Sequence, residues 1–107
     1  MRIGITPWDQ SVRTAGALAA QATQAESLGY DSFWVPESHF GPHAIPEPLM
    51  LLAAVAAGTS RILLGTTSFL LPLRNPVQAA EQVAVLDQLC GGRLILGVGR
   101  GYAPPTL

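Results

Sequence analysis

The sequence predicts an α/β fold with parallel strands. Three observations carry that reading. Short β-like runs alternate with longer helical stretches, the helices carry start and stop signals, and the third strand-like run is apolar without alternation. The first is the pattern of successive βαβ units, and the last is expected of a strand covered on both faces.

Arg2–Thr6 reads as a first strand, ended by Pro7. Ser11 is placed to cap the helix that follows. Val12, Ala15, Leu18, Ala19, Ala22 and Ala25 form its apolar stripe, with Arg13, Gln21 and Gln24 elsewhere, and Gly29 ends it. Ser32–Pro36 is a second strand, followed by a Gly- and Pro-rich loop over 37–46. A second helix starts near Pro48, a residue suited to a first turn, and runs to about Gly58. It is apolar almost all round, so deep cover is expected. Arg61 to about Ser68 is a third strand. Asn75 as N-cap, Pro76 at the first position and Gln78 two further on start a third helix, which bears Ala79, Val83, Leu86 and Cys90 at helical spacing. Gly91-Gly92 stops it, Leu94–Val98 is a fourth strand, and a fourth helix is expected to begin past Pro104-Pro105. The order βαβαβαβ suits either a doubly wound open sheet or half of a (β/α)₈ barrel, and pattern alone does not choose.

Composition excludes several classes of function. The 107 residues are 49% hydrophobic and 12% charged, which argues for a packed interior and against disorder. Six arginines, no lysine and a net charge of −1 leave no basic stripe for nucleic acid or anionic lipid. Cys90 is the single cysteine, so a disulfide scaffold is excluded and a reducing cytoplasm fits. The longest apolar run, Leu49–Ala57, is far short of the ~20 residues of a membrane helix.

Leu64-Gly65-Thr66-Thr67-Ser68-Phe69-Leu70-Leu71-Pro72-Leu73-Arg74-Asn75-Pro76-Val77 continues through Glu81, Leu86-Asp87 and Gly91-Gly92-Arg93 to Leu96-Gly97-Val98-Gly99-Arg100-Gly101. With Glu26–Val35 and Glu37-Ser38-His39-Phe40 upstream, it resembles the luciferase-like flavin-dependent monooxygenases, the bacterial luciferase α subunit among them. The likeness runs from Met1 to about Tyr102. It implies the N-terminal half of a (β/α)₈ TIM barrel whose strand ends share one mouth. The whole chain, 1–107, is then a partial barrel domain cut short before its fourth helix.

The resemblance also implies chemistry. Thr66, Thr67 and Ser68 would support a flavin, with a non-prolyl cis peptide at Thr67–Ser68. Arg100, between Gly99 and Gly101, would reach the phosphate of FMN, a task suited to a planar, permanently charged guanidinium. His39 and Ser38 hold the places of the family's paired catalytic histidines. Serine cannot act as a base near neutral pH, which argues against aldehyde-oxidising luminescence. The implied reaction inserts one oxygen atom into a small organic substrate, using reduced FMN from a separate flavin reductase. Hydride transfer with F420 is the alternative, and the full-length family form is expected to be a homodimer. For the chain by itself, two expectations stand: an inactive fragment, or a half-barrel that pairs its open edges into a binding or scaffold protein.

Other readings are set aside. Glu37, His39 and His43 could suggest a metal, but Gly41 and Pro42 break any shared helical face. The Gly97–Gly101 run lacks the last glycine of a dinucleotide fingerprint, Tyr102 standing there. Asp87 and Cys90 fall on the outer helix, and Trp8 and Phe69 read as packing. No carboxylate is expected to orient His39, so no catalytic triad is expected. Ile3, Ile5, Val35 and Leu64 are expected to face the barrel interior.

Overall fold

A computed structural model describes residues 1–9, 11 and 14–101. Within them lie β1 (Gly4–Ile5), α1 (Ala15–Ser27), β2 (Ser32–Val35), α2 (Pro48–Gly58) and β3 (Leu63–Thr66). Then come β4 (Phe69–Leu70), a 3₁₀ turn (Leu71–Leu73), α3 (Pro76–Leu89), β5 (Leu94–Ile95) and β6 (Val98–Gly99). The expected fourth helix falls outside the described residues. β1, β2, β3 and β5 form one sheet in that order, every pair parallel, with Phe33 opposite Leu64 and Gly65 opposite Ile95. β4 and β6 make a second, two-stranded parallel sheet.

The α1 start differs from expectation. Thr14 is the cap, its Oγ1 accepting the Ala17 N–H at 3.1 Å. Ser11 instead donates its N–H and hydroxyl to Asp9 Oδ1, closing a local turn that competes with capping. Val12 and Arg13 lie outside the described residues. Gln21 joins the buried stripe with Leu18, Ala22 and Ala25, while Ala15 is exposed. The Gln21 amide is buried because it is satisfied: Oε1 accepts the N–H groups of Trp8 and Asp9, and Nε2 donates to the Asp9 carbonyl.

α2 keeps its expected bounds but not its expected burial. Leu49, Leu51, Leu52, Val55 and Ala56 are buried, whereas Met50 is 75% exposed and Ala54 and Ala57 are open. The helix lies between α1 and α3 in an outer layer, and among the described residues its Met50 side is left open. α3 starts as expected, Asn75 Oδ1 accepting from Val77 and Gln78 N–H.

The third and fourth strands both break part-way. β3 ends at Thr66 because the Thr67–Ser68 peptide is cis, as the resemblance implied, and the chain re-enters a strand only at Phe69. Opposite, Leu96 and Gly97 separate β5 from β6, and Gly97 faces the break. Its carbonyl accepts from Thr66 Oγ1 at 2.8 Å and from Phe69 N–H at 2.7 Å, and its N–H donates to Thr66 Oγ1 at 3.0 Å. A β-carbon at Gly97 would sit 2.3 Å from the Thr66 carbonyl oxygen, so only glycine permits this approach.

The assignment of faces is overturned. Phe33, Val35, Ile62 and Leu64 are fully buried against the helices, and Ile5 packs at the edge of that core. Ile3 is 51% exposed. Gly4, Ser32, Trp34 and Gly65 occupy the opposite face. Large aliphatic side chains go where cover exists, and in this chain the helical layer supplies it.

Candidate functional site at the strand ends

Parallel pairing brings the carboxyl ends of the strands to one rim. Three features of that rim are built from the sheet upward. The first is Trp34, half-buried on the open face. Its Nε1–H donates to Ser32 Oγ at 2.8 Å, and its ring lies across the glycines of both neighbouring strands. A β-carbon at Gly65 would meet it at 2.3 Å, and one at Gly4 at 2.7 Å. The indole is therefore an apolar plate with its one donor already used. With Gly4, Ile5, Thr6 and Thr67 it lines a shallow, open cleft on the sheet face.

The second feature is the cis-peptide corner. Thr66 is buried and committed to Gly97. Thr67 is exposed at the cleft, its N–H donating to the Val35 carbonyl. Ser68 Oγ lies 2.5 Å from where a β-carbon of Gly99 would be, so these two expected site residues are in close approach. Beyond Gly99, Arg100 is exposed and Gly101 is half-buried with φ +83°.

The third feature was only partly legible in the sequence. Glu37, just past β2, has a side chain with no solvent exposure. Its Oε1 accepts the Leu70 N–H at 2.9 Å, and its Oε2 accepts from Arg74 Nη1 at 2.6 Å and from His39 Nε2 at 2.8 Å. Burial pushes the carboxyl pKa up, but the Arg74 guanidinium, the Leu70 N–H and His39 outweigh it and hold it below the usual value. Arg74 also donates to the Leu70 carbonyl and lies over the Phe69 ring, 4.1 Å from its centroid. The expectation that no carboxylate orients His39 is thus corrected. Two residues along an irregular chain suffice, which helical or strand periodicity does not reveal. Ser38 is drawn off elsewhere: its Oγ accepts the Ile45 N–H and its own N–H donates to the Ile45 carbonyl, bracing the loop.

Arg74 and Trp34 were the residues missed. A signal for Arg74 existed, since it and Glu37 are isolated opposite charges among largely apolar segments that the topology brings together.

The model of the luciferase-like monooxygenase family matches residues 2–107. The chain belongs to that family. Among its relatives it is 46% identical over 95 residues to an F420-dependent glucose-6-phosphate dehydrogenase of Kineococcus radiotolerans, covering 82% of this chain and 28% of that protein. It is 33% identical over 102 residues to limonene 1,2-monooxygenase of Rhodococcus erythropolis, covering 91% and 26%. Among solved structures it superposes with a TM-score of 0.87 on the oxygenating constituent of 3,6-diketocamphane monooxygenase of Pseudomonas putida, solved with FMN. That match has 32% identity and covers 97% of this chain and 30% of that one. The chain thus spans about a quarter to a third of the length of these luciferase-like relatives, and its parallel α/β arrangement is a portion of their TIM barrel. Family members are flavin- or F420-dependent oxidoreductases. No helix among the described residues is long and apolar enough to cross a membrane.

Proposed function

We propose that this chain forms the N-terminal, cofactor-facing part of a cytoplasmic flavin-dependent monooxygenase, and that turnover belongs to the complete barrel. The carrying observation is the open cleft at the strand ends, floored by Trp34 and flanked by the cis Thr67–Ser68 corner. The residues present suit a flavin. Trp34 offers an apolar plate, Thr67 and Ser68 offer hydroxyls and backbone at the rim, and Arg100 offers exposed charge for a phosphate. Bound reduced FMN, delivered by a reductase, would supply the activation of O₂ for insertion of one oxygen atom into a small organic substrate. The protein's own share is to hold the ring edge at Thr67–Ser68 and present His39 to a ligand proton.

A second reading is hydride transfer with F420. The 46% identity to an F420-dependent dehydrogenase favours it. Titrating the chain with FMN and with F420, followed by quenching of each cofactor's fluorescence, tests both. Saturable FMN binding that weakens at least about tenfold in Arg100→Ala is expected, since loss of a charge-assisted contact costs roughly 1.5–3 kcal/mol. Preference for F420 moves the assignment to the second reading, and binding of neither cofactor rejects both.

A further inference from the structure

Three donors converge on the two oxygens of Glu37: Leu70 N–H on Oε1, and Arg74 Nη1 and His39 Nε2 on Oε2. Leu70 N–H and the Arg74 guanidinium are donors in any protonation state, and a guanidinium 2.6 Å from Oε2 holds the carboxyl ionised. An ionised carboxylate only accepts, so His39 Nε2 is the donor in the third contact. The carboxylate is itself fixed from two directions. Arg74 is clamped between Glu37, the Leu70 carbonyl and the Phe69 ring, with Glu47 Oε2 3.7 Å away. The Leu70 N–H belongs to β4, so the strand that follows the cis peptide also sets the position of Glu37.

We propose that Glu37, anchored by Arg74, is a positioning residue that fixes His39 with its proton on Nε2 and leaves Nδ1 as the hydrogen-bond acceptor for an O–H or N–H group of a ligand. Nε2–H is committed to a fully buried oxygen, while the His39 side chain keeps 21% of its exposure. A neutral imidazole carries one N–H, so engagement of Nε2 defines the other nitrogen as the basic one. When Nδ1 accepts a proton from such a ligand, the ligand becomes the anion and the resulting imidazolium lies 2.8 Å from the Glu37 carboxylate. The atom count balances, and no co-reactant is required. The tautomer assignment stands on the geometry alone, whereas the ligand role rests on the function proposed above.

The test is long-range ¹H–¹⁵N correlation of the His39 ring in the intact chain without cofactor, at a pH where the ring is neutral. A single Nε2–H tautomer is expected. Glu37→Met removes both acceptors at nearly the same side-chain length. Loss of the pure Nε2–H spectrum in that variant is expected, since no acceptor then holds the proton on Nε2. Glu37→Asp, which keeps both oxygens, should retain the Nε2–H form better than Met. A wild-type ring protonated mainly on Nδ1, or a Met variant with an unchanged spectrum, overturns the proposal. If Glu37→Met does not fold, the wild-type tautomer decides. A pure Nε2–H ring in a chain that binds neither FMN nor F420 leaves the positioning intact and removes the function assigned to it.

Discussion

A buried carboxylate is stable only while its partners are in place, and Glu37 makes this testable from both sides. Removing one member of a buried pair strands the other charge, at a cost of about 3–5 kcal/mol. Arg74→Met is therefore expected to lower the urea midpoint by an amount equivalent to roughly 3 kcal/mol. Glu37→Ala should cost a similar amount, because it leaves Arg74 and the Leu70 N–H without their acceptor. The same pair gives a pH dependence. The folded pKa of Glu37 lies below the unfolded one, so its stabilisation is complete above the ordinary carboxylate range and disappears as the pH falls through the lowered folded value. Urea midpoints from neutral pH downward should show an acid loss of stability that is smaller in Glu37→Ala. An identical acid limb in wild type and variant would remove the pair from any part in it. In the sequence, Glu37 and His39 stood out as chemistry-bearing residues, but their bond depends on a loop whose path no periodicity encodes.

Elements were legible to the extent that their determinants are local. Asn75-Pro76 announces α3 because cap, first turn and apolar spacing lie within a few residues. Asn75→Ala should cost about 1 kcal/mol by thermal or urea unfolding. The start of α1 was read three residues early because Ser11 and Thr14 are both good caps, and the choice is made by Asp9 claiming Ser11. The break after Thr66 falls at the cis Thr67–Ser68 corner, which the resemblance implied but no periodicity in the run 61–68 marks, and Gly97, 31 residues from Thr66, packs against it from the gap between β5 and β6. The face assignment failed for a related reason. Which face of the sheet the helices cover is not encoded in any one strand; the pattern that marks the other face is two glycines flanking one tryptophan on adjacent strands. Gly65→Ala tests that arrangement, since the new methyl would overlap the indole at 2.3 Å. The expected result is a marked loss of stability, on the order of 1–3 kcal/mol for overpacking, with a change in Trp34 fluorescence. If Trp34→Ala is made first, the Gly65→Ala penalty should largely vanish. Additive penalties would show that the two residues do not meet.

At the scale of the whole molecule the helical side is closed and the sheet side is open. β2 and β3 are bonded on both flanks, whereas β1 and β5 each pair with a single neighbour among the described strands. Edge strands carry unpaired backbone groups on one side, and local opening begins where buried apolar contacts are fewest. Here those places coincide: Phe33 and Leu64 are fully buried, while Gly4 and Ile95 are exposed. Native-state amide exchange of the chain alone should accordingly protect β2 and β3 most strongly, with β1 and β5 exchanging at least about tenfold faster, the equivalent of ~1.4 kcal/mol less opening free energy. The same measurement separates the two fates of an isolated half-barrel. A monomer by size exclusion with fast edges would mean that β1 and β5 stay unsealed in the chain alone. A dimer in which the amides of both edge strands become as slow as those of β2 and β3 would mean that two copies close each other's sheets, and the open cleft above Trp34 would then face a second copy of itself.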